Sequence, residues 1–207
     1  MFPTRIIGVI TIYQDIAVQS IGFQKYLPIG KPEIAISFLD SWGIDEIVVL
    51  DIKGSSKNKI NLFKKLKNYT KNCHTPITAG GGIKSLKDIE NLIRNGADKV
   101  MINSYSLINK NLIKDGIKEF GSQAIMVGLD IKKIKNNYEV FYFSGQQKSK
   151  YSFKDTLKIL ENSGAGEIFI NSIDRDGKKN GYDLNLAKLD KSNIKLPLIF
   201  CGGAGSA

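Results

Sequence analysis

The chain has 207 residues, 30 Lys+Arg against 20 Asp+Glu, a formal net charge of +10 and an apolar share of 42%. That length supports a substantial core, and the composition is too apolar for disorder. No run of 18 apolar residues occurs, the start MFPTRIIGVITIYQD lacks the layout of a leader peptide, and Cys73 and Cys201 cannot build a disulfide framework. Membrane spans and secretion are therefore not expected, and a reducing, cytoplasmic setting is. The lysines are scattered (Lys64, Lys87, Lys114, Lys158) with no basic block or aromatic-interleaved stripe. The charge reads as a solvated surface that favours anionic small substrates, with neither a nucleic-acid nor a membrane partner.

Short apolar runs rich in Val, Ile and Phe recur along the chain: Arg5–Ile12, Glu46–Ile52, Pro76–Gly80, Lys99–Asn103, Ala124–Ile131, Glu167–Ile173 and Pro197–Cys201. Such runs without clean alternation predict strands buried on both faces, as in parallel sheets. Helix signals separate them. Pro32-Glu33 opens a helix with Ile34, Ala35, Phe38, Leu39 and Trp42 on one stripe, Trp42 reading as a core residue, and Gly43 closes it. Ser85-x-x-Asp88 and Ser152-x-x-Asp155 resemble capping boxes, with Gly96 and Gly164 closing their helices. The stretch Gln24–Pro32 reads as a loop, His74 lies in another, and Lys132–Gly145 reads as a two-stranded hairpin about an Asn136-Asn137 turn.

An internal repeat organises these elements. Gly43-Ile-Asp-Glu-Ile-Val-Val-Leu-Asp51 aligns with Gly164-Ala-Gly-Glu-Ile-Phe-Ile-Asn-Ser172, and Pro76-Ile-Thr-Ala-Gly-Gly-Gly82 aligns with Pro197-Leu-Ile-Phe-Cys-Gly-Gly203, both at an offset of 121 residues. Four strand units in one half predict four in the other. The expected fold is therefore α/β, a single (β/α)8 TIM-type barrel domain over residues 1–207 built from a half-barrel repeat.

In such barrels the chemistry sits at the C-terminal ends of the strands. Those ends carry Thr11, Asp51, Gly81-Gly82, Asn103-Ser104, Asp130, Asp174 or Asp176, and Gly202-Gly203. Three carboxylates on one rim suit general acid–base chemistry, although each alone could be a helix cap. Two glycine pairs on opposite sides let backbone N–H groups approach a substrate with a phosphate at each end. At the opposite rim, Arg5, Glu46, Lys99 and Glu167 alternate in sign at strand starts, a pattern that could equally be an ordinary salt-bridge cluster fixing register. No metal-ligand spacing is present, and no cofactor is expected.

RIIGVI, GIDEIVVLDI, GGGI, GADKVMINS, GSQAIMVGLDIK, the FYFSG hairpin end, GAGEIFINSIDRDGKKNGYD and LPLIFCGGAG resemble the cyclase subunit of imidazole glycerol phosphate synthase over essentially the whole chain. The resemblance implies a (β/α)8 barrel that receives ammonia from a separate glutaminase subunit docked at the barrel base. The ammonia attacks a phosphoribulosyl-formimino-aminocarboxamide ribonucleotide, and imidazole glycerol phosphate is released on the route to histidine. It also implies roles. Asp130 matches one of two catalytic aspartates, and Asp51, Ser144 and Asp176 match active-site polar residues. Gly81, Gly82, Asn103, Ser104, Gly202 and Gly203 match phosphate-binding positions. Arg5, Glu46, Lys99 and Glu167 match the ammonia gate, and Asp98 a residue facing the glutaminase.

The departures cluster. The family's other catalytic aspartate ends the first strand, where this chain has Thr11, whose hydroxyl is no base near neutral pH. A nearby lysine is Gln19, a threonine of the sixth strand is Asn171, and the serine before the second glycine pair is Cys201; Asp15 lies out of register to replace the missing carboxylate. This pattern resembles a side branch found in surface-sugar gene clusters, in which delivered ammonia converts a sugar acetamido group into an amidine. A barrel that only docks and activates a glutaminase is the third reading, while SIDRDG and the charged rim speak against the sister isomerase of histidine synthesis. Applied to Lys99–Ser104, the 121-residue offset puts an eighth strand at about residues 220–225, beyond Ala207. The expectation is a C-terminally truncated barrel of poor stability, with strands one and seven lacking partners at their edges and activity impaired.

Overall fold

A computed structural model describes residues 4–52, 60–188 and 194–205. The chain divides into two compact units: unit 1 holds the residues up to Gln19 together with Leu27–Met101, and unit 2 holds Ser20–Tyr26 together with the residues from Ile102 onward.

In unit 1 the strands β1 (Ile7–Tyr13), β2 (Ile16–Ile21, which runs on into unit 2) and β3 (Lys25–Gly30) precede helix α1 (Pro32–Ser41). Strand β4 (Glu46–Asp51), helix α2 (Ile60–Tyr69), strand β5 (Ile77–Gly80), helix α3 (Leu86–Arg94) and strand β6 (Lys99–Ile102) follow. β1, β4, β5 and β6 lie side by side in parallel, each connection after β4 passing through a helix. Ile47, Val48 and Val49 are consecutive and fully buried, as strands covered on both faces require. The Ser85 cap is complete: its hydroxyl accepts from the Asp88 N–H, and the Asp88 carboxylate accepts from the Ser85 N–H at 3.0 Å.

In unit 2, helices α4 (Tyr105–Ile108) and α5 (Lys110–Phe120) lead to strand β7 (Ile125–Ile134), then to β8 (Asn137–Tyr142) and β9 (Gln147–Ser152). Helix α6 (Phe153–Glu161), strand β10 (Glu167–Ser172), helix α7 (Leu184–Lys188) and strand β11 (Leu198–Cys201) complete it. β7, β10 and β11 are parallel neighbours over a core of Met126, Val127, Leu129, Ile168, Phe169 and Leu157.

The repeat is present in the pairing itself. β4 and β5 begin and end 121 residues before β10 and β11. Their registers match as well: Ile47 lies opposite Ile77 and Leu50 opposite Gly80, while Ile168 lies opposite Leu198 and Asn171 opposite Cys201.

Four expectations change. Gln24–Pro32 is not a plain loop: Lys25–Gly30 is strand β3, exposed along most of its length, which is why no apolar alternation marked it. The hairpin expected over Lys132–Gly145 forms between the end of β7 and β8, but a further strand, β9, pairs with β8 and extends it. The hairpin turn falls on Lys135-Asn136, with Lys135 in the left-handed region at φ 55°, and β9 runs directly into α6. The α1 stripe is split: Ala35 and Leu39 are half-buried while Ile34, Phe38 and Trp42 face outward, and the buried residue is Ile36, outside the stripe. Trp42 is 66% exposed and stacks on Phe38 instead of entering a core. The edge of β1 is not bare, since β2 returns antiparallel to pair Thr11 with Val18 and Tyr13 with Ile16.

Candidate active site

Register puts specific side chains in rows. In parallel strands, residues directly opposite each other project to the same face about 4.8 Å apart. In unit 2, Asp130 on β7 lies opposite Asn171 on β10, which lies opposite Cys201 on β11, so the three form one row at the C-terminal ends of β10 and β11. In unit 1 the corresponding row is Thr11, Leu50 and Gly80. A shift of 121 residues maps Leu50 onto Asn171 and Gly80 onto Cys201, so Thr11 is the counterpart of Asp130 in the other half.

Asp130 is 6% exposed. Burial pushes its carboxyl up to about 7; the Asn103 amide, donating to its Oδ2 at 3.0 Å, offsets part of that rise, and the negative charge of Asp176 adds to it. A carboxyl poised near neutral pH can both take and return a proton. Asp176 is fixed in turn: its Oδ2 accepts from the Ser20 hydroxyl at 2.6 Å and from the Phe23 N–H at 3.3 Å, and its carbonyl accepts from the Gly22 N–H. Of the two carboxylates left open after β10, Asp176 is therefore the one that acts on Asp130, while Asp174 accepts from the Lys133 N–H in the decorating ribbon. Burial, with Asp176 and Asp130 adding, pushes the Cys201 thiol up to about 12, so it stays neutral at physiological pH.

The remaining matches of unit 2 surround this row. The Ser104 hydroxyl accepts from the Phe143 N–H at 2.8 Å, tying the residue that precedes α4 to the turn that carries Ser144. Phe143, Ser144 and Gly145 all adopt left-handed backbone conformations, a sharp turn at the end of β8. Gly202 at φ 99° passes so close to Ser172 that a Cβ would sit 2.7 Å from its carbonyl oxygen, and a Cβ on Gly203 would overlap the Gly181 carbonyl. Unit 1 repeats the first relation 121 residues earlier, where a Cβ on Gly81 would overlap the Asp51 carbonyl; Gly82 follows at φ 64°. Asp51 ends β4 half-buried. Asp15 sits in the turn after β1 and pairs with Lys65 at 2.9 Å.

At the strand starts of unit 1, Glu46 is 2% exposed and gathers three donors: Lys99 at 2.9 Å, Arg5 at 3.4 Å, and the hydroxyl of Thr78. Asp98 accepts from the Ile77 N–H at 2.8 Å and so anchors the start of β5. Glu167 opens β10 in unit 2, half-buried and opposite Met126. The polar groups that sequence reasoning missed are the Thr78 and Ser20 hydroxyls and the Phe23 N–H. Thr78 could have been found as the one hydroxyl in an otherwise apolar run; Ser20, on β2, and Phe23, in the turn after it, meet Asp176 across a long stretch of sequence with no local signal. Among the described residues no group of three His, Cys, Asp or Glu could hold a metal ion, and no helix is long and apolar enough to cross a membrane.

Comparison with known proteins gives the same direction. Residues 5–207 match the histidine biosynthesis protein family. The imidazole glycerol phosphate synthase subunit HisF of Sulfolobus acidocaldarius is 38% identical over 205 residues, 99% of this chain and 82% of its own. That of Alkaliphilus metalliredigens is 36% identical over 207 residues, 100% of this chain and 82% of its own. A Vibrio vulnificus protein with the provisional description imidazole glycerol phosphate synthase subunit hisF2 is 38% identical over 205 residues, 99% of this chain and 75% of its own. By that family match over residues 5–207 and by 36–38% identity across essentially its whole length, the chain belongs to the histidine biosynthesis protein family as a HisF-type member.

Proposed function

We propose that this chain is a cyclase-type lyase subunit that uses ammonia from a partner glutaminase to convert phosphoribulosyl-formimino-aminocarboxamide ribonucleotide to imidazole glycerol phosphate. The observation that carries this reading is Asp130, buried on β7 where its parallel pairing with β10 comes to an end, with its carboxyl near 7 and positioned by Asn103. In its ionised form Asp130 takes a proton from the attacking nitrogen, and once protonated it returns that proton to the departing group. Asp51, Ser144 and Asp176 complete the polar rim. Gly81 and Gly82, with Gly202, Gly203, Asn103 and Ser104, hold the two phosphates on backbone N–H groups and short side chains. Arg5, Glu46, Lys99 and Glu167 form the gate on the ammonia path of a single (β/α)8 barrel, and Asp98 faces the glutaminase.

Thr11 favours a second reading. With a hydroxyl where the partner carboxylate belongs, one acid–base group remains, which suits a step in which ammonia replaces the oxygen of an acetamido group, lost as water, to leave an amidine, but not the two-carboxylate cyclisation. Turnover of the ribonucleotide with ammonium chloride decides between them. Product formation that Asp130→Asn abolishes supports the cyclase. No product from the wild type, with product appearing in Thr11→Asp, supports the repurposed branch. Stimulation of a glutaminase with no chemistry on the barrel supports a docking role alone.

A further inference from the structure

In unit 2, the side chains that act on Asp130 or adjoin them are paired: Asn103 with Asp130, Asp176 with the Ser20 hydroxyl, and Ser104 with the Phe143 N–H. Asn171 departs from this. Its Oδ1 is buried and has no hydrogen-bond partner, although the residue stands in the row between Asp130 and Cys201. A buried, unbonded amide oxygen is costly, and a hydrogen bond from a bound group would recover that cost. The fold itself does not demand an amide here, because the other half of the repeat places Leu50 at the same register position.

We propose that Asn171 is a substrate-recognition residue whose amide, beside Asp130, binds a planar nitrogen-bearing group of the ligand, a carboxamide or an amidine. A half-turn about its Cβ–Cγ bond exchanges Oδ1 and Nδ2 without moving another atom, so the ligand sets which end it meets. A carboxylate and an amide side by side are complemented by a group that carries an N–H and a second heteroatom on one carbon: the N–H goes to Asp130, and the second position exchanges a hydrogen bond with Asn171. A phosphate is the wrong occupant, since it would bring negative charge against both Asp130 and Asp176. This assignment rests on the reading of Asp130 as the group at the reacting nitrogen and adds which end of the substrate lies there.

The test compares wild type, Asn171→Leu (the residue of the other half) and Asn171→Asp, which keeps an acceptor. In the free proteins Asn171→Leu is expected to melt at or above the wild-type temperature, because an unpaired polar atom has been removed. A drop of several degrees means that Oδ1 has a structural role and overturns the assignment. Acetamidinium chloride, set against tetramethylammonium chloride, which has no N–H, is expected to raise the melting temperature of the wild type and of Asn171→Asp, with the rise lost in Asn171→Leu. For the ribonucleotide, Asn171→Leu is expected to raise KM about tenfold, the loss of one good hydrogen bond, with a smaller change in kcat. Equal responses of wild type and Asn171→Leu to both probes overturn the assignment while leaving the cyclase reading intact. A wild type that discriminates acetamidinium through Asn171 yet does not turn over the ribonucleotide overturns the cyclase reading alone.

Discussion

Unit 1 sets Thr11, Leu50 and Gly80 across three neighbouring strands where unit 2 sets Asp130, Asn171 and Cys201. Around these rows the two halves agree: Ile47–Val49 and Ile168–Ile170 are buried alike, and the glycine turns approach the Asp51 and Ser172 carbonyls in the same way. Apolar packing and strand register therefore impose where a strand ends, and the residue at that one position decides whether the end has chemistry. Two halves that share a frame can drift apart in function through single positions while the core stays under the same packing constraint. Thr11 has a second strand, β2, paired beside it, so its hydroxyl sits in intact structure and the difference from Asp130 is one of side-chain chemistry.

Substituting each end in turn probes that contrast most severely. Asp130→Asn is expected to lower kcat by about a thousandfold or more, the range for losing a positioned acid–base group, whereas Thr11→Ala changes it less than about threefold. Comparable losses in steady-state assays would remove the asymmetry. The pH dependence of stability separates the halves next. The Asp130 carboxyl is raised from 3.8 to about 7 in the folded state, so between those values the native protein binds more protons than the unfolded chain. Its contribution to stability is fully present below about pH 4 and is lost as pH rises through about 7, on the order of a few kcal/mol. Urea unfolding at pH 5 and pH 8 is expected to show that loss in the wild type and in Thr11→Ala, with Asp130→Asn lacking it and more stable than wild type at pH 8. A pH-independent wild type would contradict the burial of Asp130.

Much of this frame was legible because repetition made it so. β4 and β5 declared themselves through apolar runs that recur 121 residues later as β10 and β11, and the Ser85 and Ser152 caps followed from local spacing. β3 and β9 escaped, because KYLPIG is exposed along most of its length and QKSKYS buries only the polar Ser149, so neither imprints an apolar alternation. Trp42 misled for a related reason: helical spacing shows that Ile34, Phe38 and Trp42 share a face but not whether that face is covered. At the site, Asp130 was readable as a strand-end carboxylate. The choice of Asp176 over Asp174 came from the family resemblance and not from spacing, since two carboxylates two residues apart differ only in which turn folds back to meet them. The Asn103 bond joins residues of different strands and leaves no local trace.

The opposite strand ends give a smaller but sharper contrast. Glu46 and Glu167 are equivalent in the repeat, each opening its strand, yet Glu46 is almost fully buried and Glu167 only half so. The burial of Glu46 is tolerable because Lys99, whose side chain is 20% exposed, Arg5 and the Thr78 hydroxyl converge on one carboxylate. Glu46→Gln removes the charge but not the volume, leaving the Lys99 ammonium half out of water beside a neutral amide. Breaking a buried pair from one side costs about 3 kcal/mol, whereas an equivalent change at a half-exposed position costs about 1 kcal/mol or less. Glu46→Gln is therefore expected to shift the urea midpoint well below that of Glu167→Gln, and Lys99→Met in the same background is expected to restore part of the loss by removing the stranded ammonium. If the two glutamine variants unfold together, or if Lys99→Met adds its own full cost, then the cluster at the start of β4 is no more than a register pin shared equally by both halves.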